Sequence, residues 1–263
     1  MSNTFSGHYP IEHRAGEIER LLTQSKAMVP STLVMLERIR PTQGWTCLDI
    51  GCGPGGITDL LSARVGPSGR VIGLDRDPGF LEHARKSAAA NTEFREGDAY
   101  GSDLPAGAFD LVHMRFVAST AGDPERLLKE AVRLARPGGI VALQELDAST
   151  LRCYPPHPAW DQLKDALIGA FNGVGAELEL ARLLYHFVHQ AGLRDVQYRT
   201  ALLGVRSTDP MVDYLPSTVE SLRGTILRLG LLGASDLDTA LADCRAHLGK
   251  PGTSSCAGRY RPI

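Results

Sequence analysis

The chain has 263 residues, of which 43% are hydrophobic, enough apolar sequence for one large α/β domain with a small additional cap. Its 28 Lys and Arg residues are balanced by 30 Asp and Glu residues without any basic block, so the charge excludes the phosphate attraction on which nucleic-acid binding depends. The N-terminus has no basic start followed by an apolar core, and no apolar run approaches roughly 18 residues. We therefore expect a cytoplasmic protein without membrane spans, whose partner is a small molecule.

The cysteines support the same compartment. They are odd in number and widely spaced, and no two of them form a C-x-x-C pair, which fits neither a disulfide framework nor a zinc site. We expect reduced packing residues and no metal at Cys47, Cys52, Cys153, Cys244 and Cys256.

The chain begins with a helical pattern and continues as alternating strands and helices. Apolar residues recur at spacings of three and four from residue 11 to 39, and Pro30 followed by Ser31 predicts a break between two helices. Short apolar runs then alternate with amphipathic stretches; the runs are CLDI, VIGLD, TEFREGD, FDLVHMRF and IVALQELD. This alternation predicts a parallel sheet covered by helices on both faces.

The character of the sequence changes after Asp147. Helical segments at about 159–172 and 177–191 precede a strand-like VQYRTALLGV, and residues 208–250 carry more apolar surface than a solvent-exposed connection would tolerate. We divide the chain into N-terminal lid helices, a central α/β domain, a helical substrate cap and an irregular tail, at residues 1–40, 41–205, 206–250 and 251–263.

The stretch GCGPGG at residues 51–56 follows the first predicted strand and opens a helix. It satisfies G-x-G-x-x-G, which favours a nicotinamide-dependent oxidoreductase, and also the tighter G-x-G-x-G of Gly51, Gly53 and Gly55. Asp49 separates the two interpretations, because an acid two residues upstream would oppose a pyrophosphate but attract an ammonium group. A Tyr-x-x-x-Lys pair or an equivalent hydride-transfer site is not recognisable in the sequence.

Acids at the next two strand ends favour a positively charged nucleoside. Asp75, about 24 residues beyond Gly51, could accept both ribose hydroxyls, and Asp98 could accept the amino group of adenine while the backbone N–H of Ala99 meets a ring nitrogen. A nicotinamide cofactor does not account for acids at all three consecutive strands. S-adenosylmethionine, which carries both an ammonium group and a sulfonium, fits all three.

Taken together, the motifs LDIGCGPGGIT, VIGLDRDPGFL, EGDAY, FDLVHMRFV and RPGGIVALQE resemble class I S-adenosylmethionine-dependent methyltransferases. The resemblance covers residues 9 to about 200 and is closest to small-molecule enzymes of the ubiquinone and menaquinone biosynthetic type and their natural-product relatives. It implies a Rossmann-like doubly wound α/β sheet in the order 3-2-1-4-5-7-6. It also implies that the three glycines lie beneath the methionine portion, that Arg76 flanks adenine, that Arg115 contacts the methionine head, and that Tyr9, Arg20 and Gln24 lie near the cofactor.

The C-terminus departs from this family pattern. The family sheet normally ends in an antiparallel hairpin with an apolar last strand, yet the chain ends KPGTSSCAGRYRPI. We therefore expect irregular structure beyond about residue 252, with the last strand missing, poorly formed or replaced by a partner. The unpaired VQYRTALLGV strand would then invite self-association as a homodimer.

The sequence leaves the catalytic residues open, because in-line methyl transfer needs alignment and exclusion of water, and a base only for a weakly acidic acceptor. Candidate bases are His113, Glu145, His157 and Tyr154, and candidate walls of an apolar acceptor pocket are Tyr154, Pro155, Pro156, Trp160 and Tyr214. A protein that binds S-adenosylmethionine without transferring its methyl group remains an alternative.

Overall fold

The computed structural model describes residues 16–262, with side chains to residue 258. The α-helices are α1 (Glu17–Ile39), α2 (Ile57–Val65), α3 (Pro78–Arg85), α4 (Ala118–Ala121), α5 (Pro124–Leu134), α6 (Pro158–Asn172), α7 (Leu184–Gln190), α8 (Tyr214–Glu220), α9 (Arg223–Arg228) and α10 (Ala234–Leu248). The strands are β1 (Thr46–Ile50), β2 (Arg70–Asp75), β3 (Thr92–Glu96), β4 (Phe109–Arg115), β5 (Ala135–Tyr154), β6 (Tyr198–Arg206) and β7 (Ser254–Pro262). A 3₁₀ turn at Leu180–Leu183 precedes α7.

The strands form one seven-stranded sheet in the order β3-β2-β1-β4-β5-β7-β6, which confirms the predicted topology. The first five strands pair in parallel, and β7 pairs antiparallel with both β5 and β6. The order of connection reverses beside β1, so the carboxyl ends of β1 and β4 bound the crevice where ligands of such sheets bind. The glycine stretch begins directly after β1, at that crevice.

The prediction of an irregular C-terminal tail is wrong. Strand β7 fills the position between β5 and β6, and its backbone pairs with β6 from Tyr198 opposite Pro262 to Arg206 opposite Ser254. An apolar run is not needed there, because the backbone ladder and small residues such as Gly258 are sufficient: a Cβ at Gly258 would lie 2.9 Å from Thr150 Oγ1. The argument for a homodimer that rested on this missing strand therefore loses its basis.

The predicted break at Pro30 is also wrong, since α1 runs through this proline as one helix of 23 residues. Proline removes one backbone hydrogen bond from a helix interior. Tertiary packing outweighs that loss here, because Met28 and Met35 on either side of Pro30 are each only 1% exposed. Tyr9 of the predicted lid lies outside the described residues.

Helices α8, α9 and α10 lie between β6 and β7 in the chain, where the sequence predicts a cap. They share a hydrophobic core with α6; its fully buried members include Leu163, Val219, Leu222, Ile226 and Leu237. A separate core beneath α5 and α7 packs against the parallel strands. Across residues 16–262, no helix combines the length and apolar character that crossing a bilayer would require.

Candidate functional site

The glycine stretch adopts a backbone conformation that L-residues with side chains avoid. Gly51 and Gly53 have φ angles of 68° and 54°, and Gly55 has 98°. A Cβ at Gly51 would lie 2.4 Å from Val117 Cγ2, so the chain after β4 packs directly on the loop. A Cβ at Gly53 would meet no protein atom within 4 Å. Gly53 therefore exposes its backbone to open space, as a cradle for a ligand requires.

Two acids lie beside this loop at the ends of neighbouring strands. Asp75 accepts hydrogen bonds from the backbone N–H of Gly53 at 2.7 Å and of Asp77 at 3.0 Å. Burial raises the pKa of the Asp75 carboxyl, and these hydrogen bonds oppose that shift. Asp98, just beyond β3, accepts from the N–H of Tyr100 at 2.9 Å. Each carboxylate keeps lone pairs for further donors.

Asp49 belongs to a buried polar network rather than to the loop itself. Its Oδ1 lies 2.7 Å from His113 Nδ1, and His113 Nε2 lies 3.3 Å from Gln144 Oε1. The hydroxyl of Thr32 donates to the same Gln144 oxygen at 2.9 Å. These four side chains are at most 3% exposed, and they join β1, β4 and β5 to α1. Asp49 consequently has a fixed orientation at the edge of the crevice.

Arg115 ends β4 beside this network. Its Nη2 donates to Ser25 Oγ of α1 at 2.9 Å, and within residues 16–262 no carboxylate lies within ion-pair distance of its guanidinium. Burial lowers the pKa of Arg115, which nearby Asp49 opposes, but an arginine in a protein stays charged. The crevice thus contains a cation that is available to an anionic ligand group.

These residues line one cavity of about 680 Å³, a size typical of small-molecule sites. The structure brings together there nine of the ten residues that the sequence predicts to contact cofactor: Asp49, Gly51, Gly53, Gly55, Asp75, Arg76, Asp98, Ala99 and Arg115. Arg20 and Gln24 of α1 also line it. The cavity continues beneath the cap, where Leu167, Phe171 and Tyr214 form part of its wall.

Several predicted acceptor-site residues lie elsewhere. Tyr154 is 68% exposed, and the buried Trp160 packs in the core beneath the cap. His157 stacks on His247 with ring centroids 4.5 Å apart, and its Nδ1 accepts from the N–H of Ala159 to cap α6. None of these residues, nor Pro155, Pro156 or His113, lines the cavity, which removes them as walls or bases in this conformation. Of the predicted walls, Tyr214 alone lines this cavity.

Glu145 does not lie at a strand end, because β5 continues to Tyr154. The carboxylate is fully buried and accepts hydrogen bonds from the backbone N–H groups of Val117, Ala118 and Ser119 and from the Ser119 hydroxyl. Burial raises the pKa of Glu145 to about 7, against the lowering effect of these hydrogen bonds. Its geometry makes it an organiser of the segment that packs on Gly51, and not a base facing the cavity.

Glu145 should give the protein a specific pH dependence of stability. Its pKa is about 7 when folded against 4.5 ordinarily, so between these values the folded state binds more protons, and stability falls as pH rises. From pH 4.5 to 7, the unfolding free energy of the wild type should fall by about 3 kcal/mol relative to that of Glu145→Gln, which has no titrating group at this position. Urea denaturation of both proteins measures it, and a difference that does not change with pH would contradict the assignment.

Sequence reasoning missed the residues that complete the cavity. Tyr100 is held by the carbonyl of Ala121, and Phe116 has a φ of 60°, which turns the chain after β4. They lie within the motifs EGDAY and FDLVHMRFV, respectively, but neither of them has a role predicted from the sequence. Arg228 of the cap could have been recognised, because it is a cation within the apolar stretch TILRLGLL.

Comparison with known proteins agrees with this geometry. Residues 48–143 match the family described as "Methyltransferase domain". A demethylmenaquinone methyltransferase of Lactococcus lactis is 37% identical over 123 residues, which cover 45% of this chain and 49% of the relative. The chain spans about half the length of the curated relatives that it matches.

Solved structures show the same fold across nearly the whole chain. A putative methyltransferase from an antibiotic biosynthesis pathway of Anabaena variabilis superposes with a TM-score of 0.63 at 15% identity, covering 89% of this chain and 96% of that one. Phosphoethanolamine N-methyltransferase 2 of Haemonchus contortus, with S-adenosylhomocysteine bound, gives 0.56 at 15% identity, over 94% and 57% of the chains. Residues 48–143 are thus similar to a methyltransferase domain, and the chain has the fold of these solved methyltransferases.

Proposed function

We propose that the protein is an S-adenosylmethionine-dependent methyltransferase that acts on a small organic acceptor. The observation that carries the proposal is one cavity in which the glycine loop and the acids of three strands meet an apolar chamber beneath the cap. The match to the methyltransferase domain over residues 48–143 supports it independently.

The residues present fit S-adenosylmethionine. Open space at Gly53 suits close approach of the methionine portion, and Arg115 suits its carboxylate. Asp75 would hold the ribose hydroxyls, and Asp98 with the Ala99 N–H would bind adenine, which Arg76 flanks. Asp49 would attract the ammonium group, and Tyr9 stays a proposed lid contact.

When bound, S-adenosylmethionine supplies an electrophilic methyl group for in-line displacement. The task of the chain is to align the acceptor and exclude water, which can contribute several orders of magnitude in rate. Among the described residues that line the cavity there is no histidine, glutamate or lysine. The acceptor we favour therefore has a nucleophile that ionises readily or carries a free lone pair, such as an acidic hydroxyl, an amine or a stabilised carbanion.

The cavity size and the net charge of −2 support a small-molecule acceptor over nucleic acid, and quinone-like or secondary metabolites are candidates. The five free cysteines support action in a reducing compartment, and we propose the cytoplasm.

Calorimetry with S-adenosylhomocysteine and NADH tests the cofactor. We expect binding of the first and none of the second, because a pyrophosphate would meet Asp49 and Asp75 at the loop. Tight NADH binding with no response to S-adenosylhomocysteine would favour the oxidoreductase alternative. Incubation with labelled donor and a panel of polyketide, quinone and phenolic acceptors then tests transfer, and persistent donor binding without transfer would favour a non-catalytic protein.

A further inference from the structure

The cap places a cation in the cavity that has no ion-pair partner in the described chain. Arg228 ends α9 and lines the cavity. Its Nη2 donates to Thr225 Oγ1 at 3.1 Å, and within residues 16–262 no carboxylate lies within ion-pair distance of it. By contrast, Arg223 on the same helix is bonded to Glu220 and Asp238.

Charge is divided between the two halves of the cavity. The acidic side chains among its described lining residues all follow or lie within the first three strands, at Asp49, Asp75, Asp77 and Asp98. The half beneath the cap has a mainly apolar wall; it includes Leu146, Leu167, Phe171, Val174 and Leu178. Arg20 also reaches this half, but Glu17 neutralises it through a 2.6 Å ion pair. Arg228 is thus the uncompensated charge of the acceptor half within the described chain.

The residues that follow this arginine pack against α6. The next residue, Leu229, packs on α6 so tightly that a Cβ at Gly173 would lie 2.3 Å from its Cδ1. A Cβ at Gly169 would lie 3.0 Å from Leu231. Leu229 and Leu231 therefore anchor the chain that follows Arg228 to α6, and the hydrogen bond to Thr225 restricts the Arg228 side chain.

An oxyanion is the natural partner of such a group. A guanidinium binds a carboxylate or phosphate through two parallel hydrogen bonds, which gives orientation as well as affinity. Because the Arg228 side chain is exposed, the pair would form at the mouth of the cavity, where little desolvation opposes it. An apolar body could then extend from that mouth along the wall formed by α6.

We propose that the methyl acceptor is an amphiphilic organic acid whose carboxylate or phosphomonoester binds Arg228 and whose apolar body fills the chamber beneath the cap. This proposal rests on the proposed function and specifies its substrate class. It distinguishes the acceptor from a neutral quinol, which would leave Arg228 without a counter-charge.

The test uses a panel of hydroxylated aryl carboxylates, their methyl esters and the matching aryl phosphates. Binding to the protein saturated with S-adenosylhomocysteine is measured by calorimetry, and transfer from labelled donor is measured in parallel. We expect one class of anion to bind at least about tenfold more tightly than the esters, and the class that does so identifies the group. Arg228→Gln should remove most of this preference and leave ester binding unchanged.

Arg223→Gln is the matched control, because it removes the same charge from the same helix at a side chain outside the cavity. It should keep the preference for anions. Equal binding of acids and esters, a panel in which nothing binds, or equal effects of the two variants would overturn the proposal. The prior measurement of S-adenosylhomocysteine binding separates these results from failure of the proposed function, which would appear there first.

Discussion

Asp75→Ala is expected to weaken S-adenosylhomocysteine binding by about 100-fold, the largest loss among the acids of the cavity. The substitution removes the proposed acceptor of two ribose hydroxyls, and hydrogen bonds to a charged group contribute about 1.5–3 kcal/mol each. It also releases the N–H groups of Gly53 and Asp77, so the loop loses its anchor. Calorimetry at constant ionic strength measures the change.

Asp59→Ala is the control, because this exposed carboxylate lies on α2 immediately behind the loop but does not line the cavity. It should bind S-adenosylhomocysteine like the wild type. If Asp75→Ala also retained wild-type affinity while remaining folded, the assignment of the ribose site, and with it the proposed cofactor, would fail.

Gly51→Ala is expected to destabilise the protein by about 2–5 kcal/mol. One part of the cost is the left-handed backbone at a φ of 68°, about 1–2 kcal/mol for an L-residue. The other part is overpacking, because the new methyl group would lie 2.4 Å from Val117 Cγ2, and such contacts typically cost 1–3 kcal/mol. Urea denaturation measures the unfolding free energy directly.

Gly107→Ala separates these two contributions. Gly107 has a φ of 65°, close to that of Gly51, but a Cβ there would meet no atom within 4 Å. This variant should therefore lose about 1–2 kcal/mol only, and keep its affinity for S-adenosylhomocysteine. Equal losses from the two variants would show that contact between the loop and Val117 is unimportant for stability.

The sheet could be predicted from the sequence because its central strands are apolar runs separated by helices, a pattern that follows directly from burial on both faces. The last strand could not. Strand β7 is held by backbone pairing on both sides, and backbone hydrogen bonds have no sequence signature. The continuity of α1 through Pro30 likewise depends on packing partners that are distant in the chain.

The half of the cavity at the strand ends was predictable for a related reason. Residues that end parallel strands meet at one edge, so Asp75 and Asp98 could be assigned to one crevice from their positions alone. The half beneath the cap was not predictable, because the cap packs through tertiary contacts that no periodicity specifies. Glu145 was misjudged for the same reason: only the fold shows that three backbone N–H groups converge on its carboxylate.

The polar network from Thr32 to Asp49 fixes helix α1 to the central strands of the sheet. The middle of helix α1 is attached to the sheet by two hydrogen bonds, from Thr32 to Gln144 of β5 and from Arg115 of β4 to Ser25. Nearer its start, α1 reaches the cap through the bond of Arg20 to Thr218. The middle of α1 is therefore fixed to β4 and β5, whereas its first turn is fixed to the cap, so one helix connects the sheet with the cap across the cavity.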